Sequence, residues 1–484
     1  MKKKSCFSLV MAVLFTMSAV AQLSVQQLRT ENLDNPVGID ILYPRFSWQL
    51  AAETRNTWQT AYALTVSDAA NPAQAIWQSG KKTSDRSVYV PYEGPQLQGG
   101  KKYRWKVTVW DNHGNTAVSD IAFFQMGLLT AHDWKAKWIE PGYTEDSIQR
   151  PSPLFRKTFS IKRKLVSATA YITAHGLYEA RLNGKRIGDS YLTPGWTSYR
   201  KRLQYQAYDV TDLVVGGDNV LGVTLGSGWY RGYIAFANNH NYYGKDIALL
   251  MQVDMVFSDG TSESIITDES WKSNTGSIRS SEIYHGETID ARQEKQGWLL
   301  DGYDDAGWYG VKTAVHPMNT LVATDNEPVK KQEVFHPVKI FNTPAGEQVI
   351  DFGQNLVGWV VLKVNGKPGD SIVVSHAEVL DKAGNFYTTN LRAAKAQDTY
   401  ILKGGGEETF EPHFTWHGFR YIRVYGYPGE LKPENFTAVA LYSGMQQTGS
   451  FHTSNTMINQ LQKNIVWGQK GNFLDVPTDC PQRD

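Results

Sequence analysis

Charged side chains crowded into a short segment are the first candidates for acid and base chemistry, and Glu287, Asp290 and Arg292 form one such group. Paired carboxyls are what a glycosidase uses, one to give a proton and the other to activate water or attack carbon. This group falls in strand-like sequence, where carboxylates and a guanidinium more readily tie segments together, so an ion network between domains is the expected role. Cys480 has no partner that would make it a nucleophile and reads as a packing residue. No His or Cys cluster has zinc spacing, and no glycine loop of the phosphate-cradling type occurs. A second chemistry is stacking. With 15 Trp and 25 Tyr in 484 residues, the chain offers many flat faces on which the C–H face of a pyranose can lie. Trp196, Trp229 and Tyr230, set beside glycines, are the candidate carbohydrate-binding platforms; most other aromatics are expected to pack within sheets.

The elements that must position these residues are mostly strands. Arg45–Leu50, Ala61–Val66 and Tyr103–Trp110 alternate apolar and polar residues with a period of two, which predicts half-buried strands. With the turn at Asp111–Asn115 they predict an immunoglobulin- or fibronectin-like β-sandwich over 22–130. A proline-rich linker with Pro141, Pro151 and Pro153 leads into a second strand-rich block over 131–326, with an Asn-Gly hairpin at Arg181–Ile187, suited to a jelly roll. A third all-β block, a sandwich, is expected over 327–445. From 446 to 484 the pattern changes: Ser454 is placed as an N-cap, and Met457, Ile458, Leu461 and Ile465 recur at helical spacing.

Composition narrows the function classes. The formal net charge of +1 arises from 49 basic and 48 acidic residues scattered along the chain, which gives no support to a nucleic-acid partner. Lys2–Lys4, the apolar run Phe7–Val20 and the small residues Ala19 and Ala21 predict a cleaved signal peptide over 1–21, hence export to the periplasm or the medium. No later segment is apolar enough for a membrane span. Cys6 belongs to the signal, which leaves Cys480 without an internal disulfide partner.

Four peptides in order, Tyr284–Arg292, Asp351–Asn355, Phe414–Tyr421 and Asp475–Asp484, resemble successive signatures of bacterial α-L-rhamnosidases of glycoside hydrolase family 78. Gly195-Trp196 and Gly226–Gly232 add to the resemblance, which covers nearly the whole mature sequence. It implies a mainly β fold: tandem β-sandwich and jelly-roll domains, the third of them concanavalin-like, followed by the first helix of a truncated (α/α)6 barrel. It also implies inverting hydrolysis of terminal α-L-rhamnosides in plant glycans or glycosides, without a required cofactor and with calcium possible in the jelly roll. Asp479 and Arg483 correspond to contacts of the rhamnose subsite; a carboxylate accepts from ring hydroxyls and a guanidinium offers a planar fork of donors. The family's general acid is expected immediately after Asp484 and its base far beyond, so no catalytic residue is assigned and the chain as given is expected to be inactive. The alternatives are a non-catalytic exported carbohydrate-binding protein, with its jelly roll holding rhamnose-containing glycans, and a purely structural adhesive array. Trp416 and His417 are expected either in a core or at the junction with the barrel.

Overall fold

In the computed structural model, residues 23–234 and 239–483 are described. The expected signal peptide over 1–21 lies outside them. The chain divides into two compact units: Ile41–Met126 with the chain up to Pro36, and Gly127 onward with Val37–Asp40.

In the first unit the alternating segments become strands, because a period of two puts every second side chain on one face. Arg45–Ala51 pairs antiparallel with Ser24–Thr30 in one sheet. In the other, Lys102–Asp111 lies between Gln59–Asp68 and Ala122–Met126. Phe46, Trp48, Trp105 and Phe124 fill the space between, with the Phe46 and Trp105 ring centroids 4.5 Å apart. Buried indoles still need hydrogen-bond acceptors. Trp48 Nε1 donates to Gln59 Oε1 at 2.9 Å and Trp105 Nε1 to Thr30 Oγ1 at 3.0 Å. The Asp111–Asn115 turn forms as expected, the Asp111 carboxylate accepting the His113 and Asn115 amides.

The second unit begins with two facing sheets. One runs, in spatial order, Val311–Ala314, Trp138–Pro141, Ala248–Phe257, Leu165–His175, Leu203–Asp209 and Leu321–Ala323; the other contains Lys185–Arg186, Leu177–Leu182, Gly217–Gly226, Pro153–Ile161 and Lys272–Thr275. Phe155, Ile172, Leu182, Leu221, Met251 and Trp271 form the core. The Asn-Gly hairpin closes with Asn183 and Gly184 at φ 53° and 78°, the two positive values a primed turn needs.

The remainder is built on a single ten-stranded sheet. Its long strand Gln348–Asn365 is continuous through Asp351–Asn355, where its register with His417–Tyr425 shifts. Gly353, at φ 75°, makes that bulge possible, and Asp351 Oδ1 accepts its amide at 2.6 Å. The Asn355 side chain donates to Glu378 Oε1 at 3.1 Å. The sheet also departs from the expected division at 326/327. Ile278–Glu282 and Gly286–Asp290 precede that point, yet Gly286–Asp290 pairs in parallel with Gln397–Ile401. Apolar residues of both blocks accordingly merge into one core, from Trp138 and Trp229 to Trp359 and Trp416.

A single long helix, Thr456–Gly471, follows. Its N-cap is Asn455 rather than Ser454: the Asn455 side chain accepts the Met457 amide at 2.9 Å. The expected apolar stripe exists but is uncovered among the described residues, with Met457 77% and Leu461 56% exposed. Only the later turns dock, through Trp467 against Phe335 and Lys470 against Glu333. No helix of the described residues is long and apolar enough to cross a membrane.

Candidate functional site

Asp479 and Arg483 are held on a short turn that begins where the helix ends. Phe473–Leu474 and Val476–Pro477 form a small hairpin with Asp475 between them at φ 69°. The left-handed conformation costs a non-glycine residue about 1 kcal/mol, and Asp475 offsets it by binding three separate segments, two through its carboxylate and one through its amide. Oδ2 accepts the Trp196 amide at 2.6 Å, and Oδ1 accepts Asn326 Nδ2 at 2.8 Å. The Asp475 amide donates to Ser443 Oγ at 3.1 Å. Gly195 makes this approach possible: a Cβ there would lie 2.6 Å from both carboxylate oxygens. Burial pushes the Asp475 carboxyl up to about 6, against the bonds from Trp196 and Asn326.

Beyond this clasp the chain closes on itself, Thr478 N donating to Asn472 O and Arg483 N to Cys480 O. Arg483 Nη1 donates to Asn390 O at 2.8 Å and Nη2 reaches Cys480 Sγ at 3.2 Å; Sγ in turn contacts Asp479 Oδ2 at 3.4 Å. The two sugar-binding candidates are therefore neighbours bridged by one sulfur, with Asp479 exposed. Cys480 is half-buried and lies between the two polar side chains, and burial pushes its thiol up. Gln482 rests on the sheet at Gly418, where a Cβ would come within 3.1 Å of it. Trp416 and His417 beside it are both 1% exposed.

The aromatic candidates do not serve as open platforms. Trp229 is 1% and Tyr230 7% exposed. Trp229 stacks on Trp196 with 5.7 Å between centroids and donates from Nε1 to Tyr284 Oη. Tyr230 lies flat on His175 at 4.5 Å. Their faces are spent on other rings because the short helix Gly228–Arg231, which carries both, is itself buried. Trp196 is half-buried, its indole bound to Tyr243 Oη and its amide to Asp475. Glycine-flanked aromatics thus mark close packing here, and the more telling feature of Gly195-Trp196 is its backbone.

Glu287 lies beside an ion network but is itself held by backbone amides. Its carboxylate accepts the His413 and Phe414 amides, while His413 Nδ1 lies 3.2 Å from Glu179 on strand Leu177–Leu182, and Glu179 pairs with Arg186 at 2.7 Å. Burial pushes Glu287 up to about 7. Burial also disfavours charge on Glu179, but His413 and Arg186 hold it down at about 2. His413 is driven the other way, to about 9, as the Glu179, Glu287 and Glu411 carboxylates overcome its burial. Asp290 and Arg292 form a local bidentate pair instead. Among the described residues, the grouping that could surround a metal is His376, Asp398 and His417, in the ten-stranded sheet rather than the jelly roll. The two imidazoles stack at 4.1 Å and 24°, both beside the Asp398 carboxylate.

Comparison with known proteins matches the chain segment by segment. Residues 25–130 match the Rha78A-like N-terminal immunoglobulin domain, and 163–333 the α-L-rhamnosidase N-terminal domain. Residues 341–442 match the bacterial α-L-rhamnosidase concanavalin-like domain, and 446–484 the bacterial α-L-rhamnosidase 6 hairpin glycosidase domain. An α-L-rhamnosidase of Formosa agariphila is 36% identical over 96% of this chain and 52% of its own length. The crystal structure of an α-L-rhamnosidase from Aspergillus terreus superposes with a TM-score of 0.89 at 40% identity, covering 96% of this chain and 54% of that one. That of a Streptomyces avermitilis α-L-rhamnosidase complexed with L-rhamnose gives 0.90 at 31%, covering 96% and 61%. The chain thus spans about half the length of the relatives it matches.

Proposed function

The chain belongs to the bacterial α-L-rhamnosidase family, and on that footing we propose that it serves the inverting hydrolysis of terminal α-L-rhamnosides in exported plant-glycan or glycoside breakdown. Its part is recognition: Asp479 accepts hydrogen bonds from two sugar hydroxyls and Arg483 donates to a third oxygen. The observation that carries this reading is the turn itself, which follows the clasped hairpin and holds both side chains against one sulfur. A preformed pair spares the sugar the cost of ordering them.

Inversion needs two carboxyl groups about 6.5–9.5 Å apart across the bond to be cleaved. The interior carboxylates Glu179, Glu287 and Asp398 are occupied by histidines, guanidinium or backbone amides, so the proposal assigns none of them to proton transfer. The 484-residue chain is accordingly expected to bind without turnover. An assay with an aryl α-L-rhamnoside tests this: turnover abolished by replacing a carboxylate within 22–484 would overturn it. The reading as a lectin-like jelly roll loses its support with the burial of Trp229 and Tyr230. Calcium in that block is addressed by making each binding measurement with and without the ion.

A further inference from the structure

The edge of the ten-stranded sheet carries another polar cleft, lined by none of the residues of the Asp479–Arg483 turn. Strand pairing builds its floor. Ser280 lies opposite Thr288, and Thr288 lies beside Thr399 in parallel register. Alternate residues share a face, so Glu282, Gly286 and Gln397 belong to the same surface, and all line the cleft. Gly286, at φ 109°, lets the strands close up; a Cβ would stand 2.1 Å from Gln397 O. The result is a row of hydroxyls and an amide across three strands, the kind of surface that exchanges hydrogen bonds with a polyol.

One wall is aromatic. Tyr233 stacks on His285 at 4.9 Å and meets His240 at a tilt, 4.7 Å between centroids, and its amide is fixed by Glu282 Oε2 at 2.8 Å. Burial, with help from Lys395, pushes His285 down to about 4, so at neutral pH it is an uncharged ring. The rim is cationic: Arg279 and Lys395 face the cleft, and neither makes an ion pair among the described residues. The one lining carboxylate, Glu282, has its pKa raised by burial, against the nearby Arg150, Arg231 and Lys395. The cleft has a volume of about 680 Å³, inside the ~300–1,000 Å³ range of small-ligand sites.

We propose that this cleft is a separate saccharide site that takes an anionic pyranose, its carboxylate between Arg279 and Lys395, its hydroxyls on Ser280, Thr288, Gln397 and Thr399, and its C–H face against the Tyr233–His285 wall. This role goes beyond rhamnose recognition and does not depend on it. The test is calorimetric titration of the 484-residue chain with the 4-nitrophenyl glycosides of D-glucuronic and D-galacturonic acid, and with the matching glucoside and galactoside, which differ only in the C6 carboxylate. Saturable binding of at least one uronide is expected, about tenfold tighter than its neutral counterpart. It should weaken about tenfold in Arg279→Ala with Lys395→Ala, weaken in Tyr233→Ala, and stay unchanged in Asp479→Ala. No saturable binding of either uronide, equal affinity for the neutral glycosides, or binding untouched by the double change would each overturn the assignment.

Discussion

Cutting Asp475 back to alanine removes the acceptor of the Trp196 amide and one of the two acceptors of Asn326 Nδ2, which keeps the Asp475 carbonyl at 3.1 Å. Each buried donor left without a partner costs about 1–3 kcal/mol, so the hairpin that carries Asp479 should open more readily. Hydrogen exchange of the 473–478 amides is predicted to speed up by at least tenfold. Gly195→Ala should do similar harm by pushing a methyl group into the carboxylate. Combined with Asp475→Ala, that collision disappears, so the double change should cost at least ~1 kcal/mol less than the sum. Additive costs would mean that the two positions act independently. At His413 the sign of the pH effect follows from its pKa of about 9 against an ordinary 6.5. The folded state holds that proton more tightly, so the stabilisation is complete below pH 6.5 and is lost as pH rises through about 9. The side chain keeps 36% exposure, so solvent screening trims the effect. His413→Gln is predicted to flatten the decline in denaturation midpoint over that interval; an unchanged slope would show that His413 is not its source. Asp479 and Arg483 were legible in the sequence only through the terminal motif. The clasp was not, because Asp475, Asn326 and Gly195 are each separated by more than a hundred residues and only the fold brings them together.

Along the helix Thr456–Gly471, the apolar stripe was legible from spacing, and the cap was missed by one position because Ser454 and Asn455 are both good N-caps. What spacing could not tell is where the stripe goes: Met457 to Ile465 are exposed, while Trp467 and Lys470 dock. Protection in hydrogen exchange should therefore rise along the helix, weakest before 465 and strongest near 467–471. Asn455→Ala should cost about 1 kcal/mol locally and steepen that gradient. Uniform strong protection would contradict the one-ended docking. Strand content was legible from alternation, but the pairing of Gly286–Asp290 with Gln397–Ile401 was not, since register across a hundred residues leaves no local signal.

For the molecule as a whole, aromatic richness indicated sheet packing more than sugar contact. Trp48, Trp105, Trp138, Trp229, Trp271, Trp359 and Trp416 are all buried core residues. The mainly β architecture and the family followed from the sequence because alternation and ordered motifs recur over nearly its full length. The surfaces available for sugar did not, because they depend on which aromatics the packing leaves uncovered. The central claim is that the clasped turn is already a rhamnose subsite. Titrating L-rhamnose into the 484-residue chain, with and without calcium, measures it directly. Binding with a Kd on the order of 1 mM, typical of a few hydrogen bonds to one small sugar, is predicted, with loss of at least tenfold in affinity for Asp479→Ala and for Arg483→Ala. Rhamnose binding that survives both changes unaltered would contradict it.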